Sequence, residues 1–104
     1  MQLSKPKQQQ TPRGRFAWRE GGAPGGKALV MIHGWPESSY CWEHVAMHLK
    51  AGFRIIAPDL RGLGDSERTP DVSHYHKQQL AQDVISLLDH LGIGEFQLVG
   101  HDWG

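Results

Sequence analysis

Apolar residues in this chain fall into two kinds of pattern: short unbroken runs and spaced stripes. Ala28-Leu29-Val30-Met31-Ile32 is an unbroken run of strand length. It shows no alternation, so both of its faces need cover, as in a parallel sheet. Arg54-Ile55-Ile56-Ala57 and Phe96-Gln97-Leu98-Val99 read as two further strands, and Phe16-Ala17-Trp18-Arg19 as a short one. Gly21-Gly22-Ala23-Pro24-Gly25-Gly26 reads as a turn on composition alone. The stripes are helical. Trp42, Val45, Ala46 and Leu49 recur at helical spacing, and Gly52 supplies the flexible residue that ends a helix. Leu80, Val84, Leu87, Leu88 and Leu91 form a longer stripe that Gly92 terminates. Strand, helix, strand, helix, strand in that order predicts an α/β fold with a mostly parallel sheet.

Composition narrows the class. The 104 residues make at most one domain. Eleven basic and 11 acidic residues cancel, which argues against a nucleic-acid partner or a polybasic membrane surface. Apolar residues are 38% of a chain with 13 glycines, so the core is thin. A single cysteine, Cys41, excludes an internal disulfide and a cysteine-rich zinc module. The longest apolar run is far short of the ~20 residues that span a bilayer. Met1-Gln2-Leu3-Ser4-Lys5-Pro6-Lys7 has no apolar signal region, so a cytoplasmic location is expected. Residues 1–15 interleave Lys5, Lys7, Arg13 and Arg15 with glutamines and prolines, and are expected to be a disordered tail. Residues 16–104 would be the folded part.

In an open parallel sheet, reactive residues gather at the carboxyl ends of strands. The first predicted interior strand runs into His33-Gly34-Trp35-Pro36. The second runs into Pro58-Asp59-Leu60-Arg61-Gly62-Leu63-Gly64-Asp65-Ser66, and the third into Gly100-His101-Asp102-Trp103-Gly104. Gly100-x-Asp102-x-Gly104 has the frame of a nucleophile elbow, with Asp where Ser is commoner. The flanking positions of so tight a turn face backbone at close range, where side chains would clash. The turn lifts one side chain clear of the sheet and aims the next amide, that of Trp103, at the reacting centre. Five residues alone are a weak signal, because an Asp after a strand also serves as a helix N-cap.

Taken together, the three loops resemble the epoxide hydrolase and haloalkane dehalogenase branch of the α/β-hydrolase fold. The motifs are His33-Gly34-Trp35-Pro36-Glu37-Ser38, Asp59 to Ser66, and Gly100 to Gly104, in family order. The resemblance runs from about Phe16 to the last residue. It implies that Asp102 is the nucleophile. Trp35 and Trp103 would give the backbone N–H groups of an oxyanion hole. His33, Gly34, Pro36, Gly100 and Gly104 would be structural members of the motifs, with a cis bond at Trp35-Pro36. The Asp59–Ser66 loop would support the elbow from the adjacent strand. The implied activity is opening of an epoxide, on a small-molecule substrate, through a covalent alkyl-enzyme ester, without metal or cofactor. Trp35 after His-Gly favours the epoxide branch; the dehalogenases often carry Asn there. A carbon–halide substrate is the alternative. A non-catalytic truncated remnant, binding a partner through an open sheet edge, is the third reading.

The family's order of nucleophile, acid, histidine places the later acid, the base and the lid tyrosines beyond Gly104. On this reading the chain is the N-terminal half of a hydrolase core, alkylated at Asp102 without turning over. Its last strand would be an exposed apolar edge, and the isolated chain is expected to fold poorly.

Other residues read blandly. His44 and His48 are expected to be a half-exposed pair without a third metal ligand. His74-Tyr75-His76 lies in the loop before the long helix, with Ser73 as that helix's cap. Gly62-Leu63-Gly64 lacks the third glycine of a dinucleotide fingerprint. Cys41, Trp18 and Trp42 are expected in the core, and Trp35 and Trp103 beside the substrate.

Overall fold

The computed structural model describes residues 3–49 and 52–104. Five strands form one mixed sheet: β1 (Lys7–Thr11), β2 (Gly14–Gly22), β3 (Lys27–Ile32), β4 (Phe53–Pro58) and β5 (Gln97–Gly100). Their spatial order is β1-β2-β4-β3-β5. β1 and β2 pair antiparallel, as do β2 and β4, whereas β3 is parallel to both β4 and β5. Helix α1 (Glu43–Met47) lies between β3 and β4, and α2 (Lys77–His90) lies between β4 and β5.

The unbroken run in β3 is covered on both faces, as its pattern requires. Val30 and Ile32 point into one core with Phe16, Trp18, Ile56, Leu60, Leu87, Leu88 and Ile93. Leu29 and Met31 point into the other with Leu3, Trp42, Ala46, Ile55 and Ala57. Alternation by residue parity thus feeds two layers from one strand. The leucine stripe of α2 closes the first core through Leu87 and Leu88, with Val84 and Leu91 packed against it. Gly92, at φ +74°, ends the helix. Ile93 N donates to Leu88 O at 2.9 Å and Gly92 N to Asp89 O at 3.1 Å, the paired bonds of a Schellman ending.

Several expectations from pattern are corrected. Residues 7–15 are not a disordered tail. β1 pairs along its whole length with β2, from Lys7 opposite Trp18 to Thr11 opposite Gly14. Thr11 Oγ1 shapes the connecting turn by accepting from Arg13 N and donating to Gly14 O. Arg13 is then anchored far away in sequence: its Nε donates to Asp83 Oδ1 at 2.8 Å. Asp83 also takes a two-pronged pair from Arg61, both bonds at 2.9 Å, and Arg61 donates to Arg13 O. Asp83 and Arg61 are buried. A hydrophobicity pattern cannot register this ionic clasp, because all its members are polar.

The first helical stripe is also shorter than its spacing predicts. Ser39–Trp42 forms a 3-10 turn capped by Ser38, and α1 proper has five residues, ending at His48 rather than near Gly52. Lys50 and Ala51 of that stretch lie outside the described residues. Cys41 is exposed, not in the core, because the turn directs its neighbours Ser39 and Trp42 inward. His44 and His48 are both exposed. Ser73 does not cap α2: it sits within a 3-10 turn, Val72–Tyr75, capped by Asp71, and α2 begins without a side-chain cap.

Candidate active site

Because β3 and β5 are parallel neighbours, the loops that leave their carboxyl ends meet. Ile32 pairs with Gly100 in register, so His33–Pro36 and His101–Gly104 emerge side by side. The turn after β5 is very tight. His101 N donates to Ile32 O, and Gly104 N donates back to His101 O at 2.9 Å. A Cβ on Gly100 would lie 2.5 Å from the Gly104 carbonyl carbon, and one on Gly104 would lie 2.1 Å from Ile32 O. Both glycines are therefore sterically required. Between them Asp102 sits at φ +61°, the one non-glycine residue with positive φ among those described. A left-handed conformation costs an L residue about 1–2 kcal/mol, and here it projects the carboxylate away from the sheet.

The β3 loop brings a donor to that carboxylate. Trp35 N–H donates to Asp102 Oδ2 at 2.9 Å. The approach is close because position 34 is glycine: a Cβ there would lie 2.3 Å from Asp102 Cβ. The Trp35-Pro36 bond is cis. The Trp35 amide is the main reason that Asp102 is held below the usual carboxylate range. Slight desolvation works against it, and the Trp103 amide, His101 and Lys77 add to the lowering. The group is thus an exposed, ionised carboxylate at neutral pH, next to two main-chain N–H groups.

The loop that carries Trp35 is braced from below. His33 is fully buried; its Nε2 accepts from Leu60 N at 2.9 Å and its Nδ1 donates to Gly34 O at 2.7 Å. Those two partners determine the tautomer. Asp59, also buried, accepts from Ser39 N at 2.7 Å and Asp65 N at 3.1 Å. Gly64 leaves room for that carboxylate, since a Cβ would lie 2.3 Å from Asp59 Cγ. The Asp59–Ser66 loop therefore supports the β3 loop. The expectation that it props the elbow from an adjacent strand is corrected by topology: among the described residues β4 pairs with β3 and β2, and β5 pairs with β3. Glu37 Oε1 accepts from Gly34 N at 3.2 Å and lies 3.5 Å from His101 Nδ1.

The Trp35 and Trp103 rings stand exposed, with centroids 6.0 Å apart and planes tilted by 33°. They border a cavity of about 240 Å³ that Leu60, Leu63, Tyr75 and Leu80 also line. The Tyr75 hydroxyl is turned aside, donating to Thr69 O and accepting from Thr69 N. Trp18 and Trp42 are buried in the two cores, as expected of them. One neighbour has no motif to announce it. Lys77, the first residue of α2, donates from Nζ to Trp103 O at 3.3 Å and lies 5.2 Å from the centre of the Trp103 ring. The crossover from β4 to β5 brings it there.

A mixed sheet of this strand order, with a strained elbow turn at the carboxyl end of β5 and a glycine-bearing loop beside it, defines an α/β-hydrolase architecture. The comparisons agree: residues 27–104 match the model of the alpha/beta hydrolase fold family, and the chain belongs to that family. Epoxide hydrolase 2 of Siraitia grosvenorii is 48% identical over 80 residues, covering 76% of this chain and 25% of that protein. The soluble epoxide hydrolase of Corynebacterium sp. (strain C12) is 48% identical over 82 residues, covering 79% of this chain and 28% of that protein. The chain thus spans about a quarter of the length of these relatives. Among solved structures, epoxide hydrolase A from Mycobacterium thermoresistibile superposes with a TM-score of 0.87 at 34% identity, over 98% of this chain and 32% of that one. A haloalkane dehalogenase loop variant from Bradyrhizobium elkanii gives 0.88 at 34% identity, over 100% of this chain and 34% of that one. No helix among the described residues is long and apolar enough to cross a membrane.

Proposed function

We propose that this chain carries the nucleophilic part of an epoxide-hydrolase-type active site acting on a small molecule, with Asp102 as nucleophile. One Asp102 oxygen would attack a saturated ring carbon. The new carbon–oxygen bond forms as the ring carbon–oxygen bond breaks, and the electron pair goes to the ring oxygen, which takes a proton from water. The product is an alkyl ester on Asp102. This step needs no base, because the carboxylate is already ionised. Trp35 and Trp103 would serve the ester's hydrolysis, their N–H groups holding the oxyanion that forms at the Asp102 carbonyl.

The observation that carries this reading is the Trp35 N–H to Asp102 Oδ2 bond at 2.9 Å, made to a carboxylate held at positive φ. The similarity to epoxide hydrolases supports the substrate class. A halide leaving group is the second reading, favoured by the likeness to the dehalogenase variant. None of the seven histidines is assigned as the base for ester hydrolysis. The 104-residue chain is therefore expected to accumulate ester rather than to cycle.

The test is intact-mass and peptide mapping of the chain after incubation with styrene oxide or with a bromoalkane. Adduct on Asp102 with the epoxide, absent in Asp102→Asn, is the expected result. Adduct from the bromoalkane alone overturns the epoxide preference. Label on another side chain overturns the nucleophile.

A further inference from the structure

We propose that Lys77 is a specificity-determining residue of the Asp102 site, its ammonium holding a carboxylate on the substrate while the Trp103 ring packs against the apolar remainder. The inference rests on the reading of Asp102 as an alkylated nucleophile.

The placement of Lys77 is peculiar for a helical lysine. It occupies the first position of α2, where the helix dipole is positive and a cation is disfavoured. The first turn of α2 contains no acidic residue, and the N-cap residue His76 makes no side-chain capping bond. Lys77 forms no ion pair at contact distance among the described residues, so helix stability does not account for it; its charge acts at longer range on Asp102. Its Nζ instead lies against Trp103, over the ring and bonded to the main-chain carbonyl next to Asp102. One carbonyl bond leaves two of its three N–H donors for a ligand.

The other cations near the site are engaged. Arg61 lines the same cavity as the two tryptophans, but its guanidinium is buried against Asp83 and Arg13 O. His101 lies beside Glu37. Lys77 is thus the cation at Trp103 with donors to spare. Alkylation sharpens its role. Before attack, the Asp102 charge partly balances the ammonium. Ester formation neutralises Asp102, so an anionic group on the bound molecule becomes the counter-charge. Without such a cation, a carboxylate-bearing substrate would be repelled by Asp102 itself.

Glycidate and glycidamide test this directly, since they differ mainly in charge. The 104-residue chain is incubated with each, and the rate of adduct formation at Asp102 is read by peptide mapping. The ratio of the glycidate rate to the glycidamide rate is the measure. An exposed charge pair changes such a ratio by about two- to fivefold, and Lys77→Met should lower it by a factor in that range. Lys77→Glu should lower it further, and Lys77→Arg should largely retain it. Added salt should shrink the wild-type preference. Lys27→Met, at the opposite end of β3, controls for loss of one net charge and should leave the ratio unchanged. A ratio that is equal in wild type, Lys77→Met and Lys77→Glu overturns the role of Lys77 while leaving Asp102 as nucleophile intact. Failure of both epoxides to label Asp102 overturns the proposed function and this inference with it.

Discussion

Gly34→Ala is the sharpest probe of how the two loops cooperate. A methyl group at position 34 would sit 2.3 Å from Asp102 Cβ and 2.8 Å from its Oδ2. Carbon atoms in ordinary contact are about 3.5–4.0 Å apart, so the loops must separate by roughly 1 Å or more. The bond from Trp35 N to Oδ2 is 2.9 Å, and a movement of that size removes it. Loss of the donor bears on the ester's hydrolysis, where an oxyanion-hole N–H is worth about 10²–10³ in rate; for the alkylation step, a 1 Å misplacement of the reacting carboxylate costs about 10². Alkylation of Asp102 by styrene oxide should therefore slow by about 10² in Gly34→Ala, with a circular dichroism spectrum unchanged from that of the wild-type chain.

The pH profile supplies a second reading of the same perturbation. Asp102 is held below the usual range first by the Trp35 amide. The wild-type rate should hold as pH falls and drop only below the ordinary aspartate range, near about 3.9. In Gly34→Ala the drop should begin at higher pH, because the ionised form has lost its chief donor. A variant that alkylates at the wild-type rate with an unmoved profile would refute the coupling between the β3 loop and Asp102.

Two further changes test the scaffold. Asp83→Asn removes the anion between Arg13 and Arg61 and leaves the buried Arg61 guanidinium unbalanced; urea unfolding should show a loss of about 3 kcal/mol, partly restored by pairing Asp83→Leu with Arg61→Met. His33→Ala takes the acceptor from Leu60 N and opens a buried void; the same measurement should show a loss of about 2–3 kcal/mol, together with slower Asp102 alkylation as the Trp35 loop loosens.

Local signals made the centre of this protein legible. The unbroken run of β3 needs cover on both faces wherever it sits, and the leucines of α2 form a stripe in any helix. Glycines at 34, 100 and 104 are demanded by close backbone approaches that a five-residue turn and its neighbouring loop create. The strand run and the leucine stripe lie within their own segments, so the sequence states them; Gly34 and Gly104 meet Asp102 and Ile32 across the chain, and it is the short motifs around them that made them legible. Tertiary structure decided the rest. Lys7–Thr11 contains no apolar pattern, and it becomes β1 only because β2 offers a free edge and Asp83 captures Arg13. The strand order places β3 between β4 and β5, so the Asp59–Ser66 loop braces His33 and Ser39 instead of the elbow. Lys77 reaches Trp103 across 26 residues of chain. Contacts of this kind join polar groups distant in sequence, and hydrophobic periodicity carries no record of which partner a charge will meet.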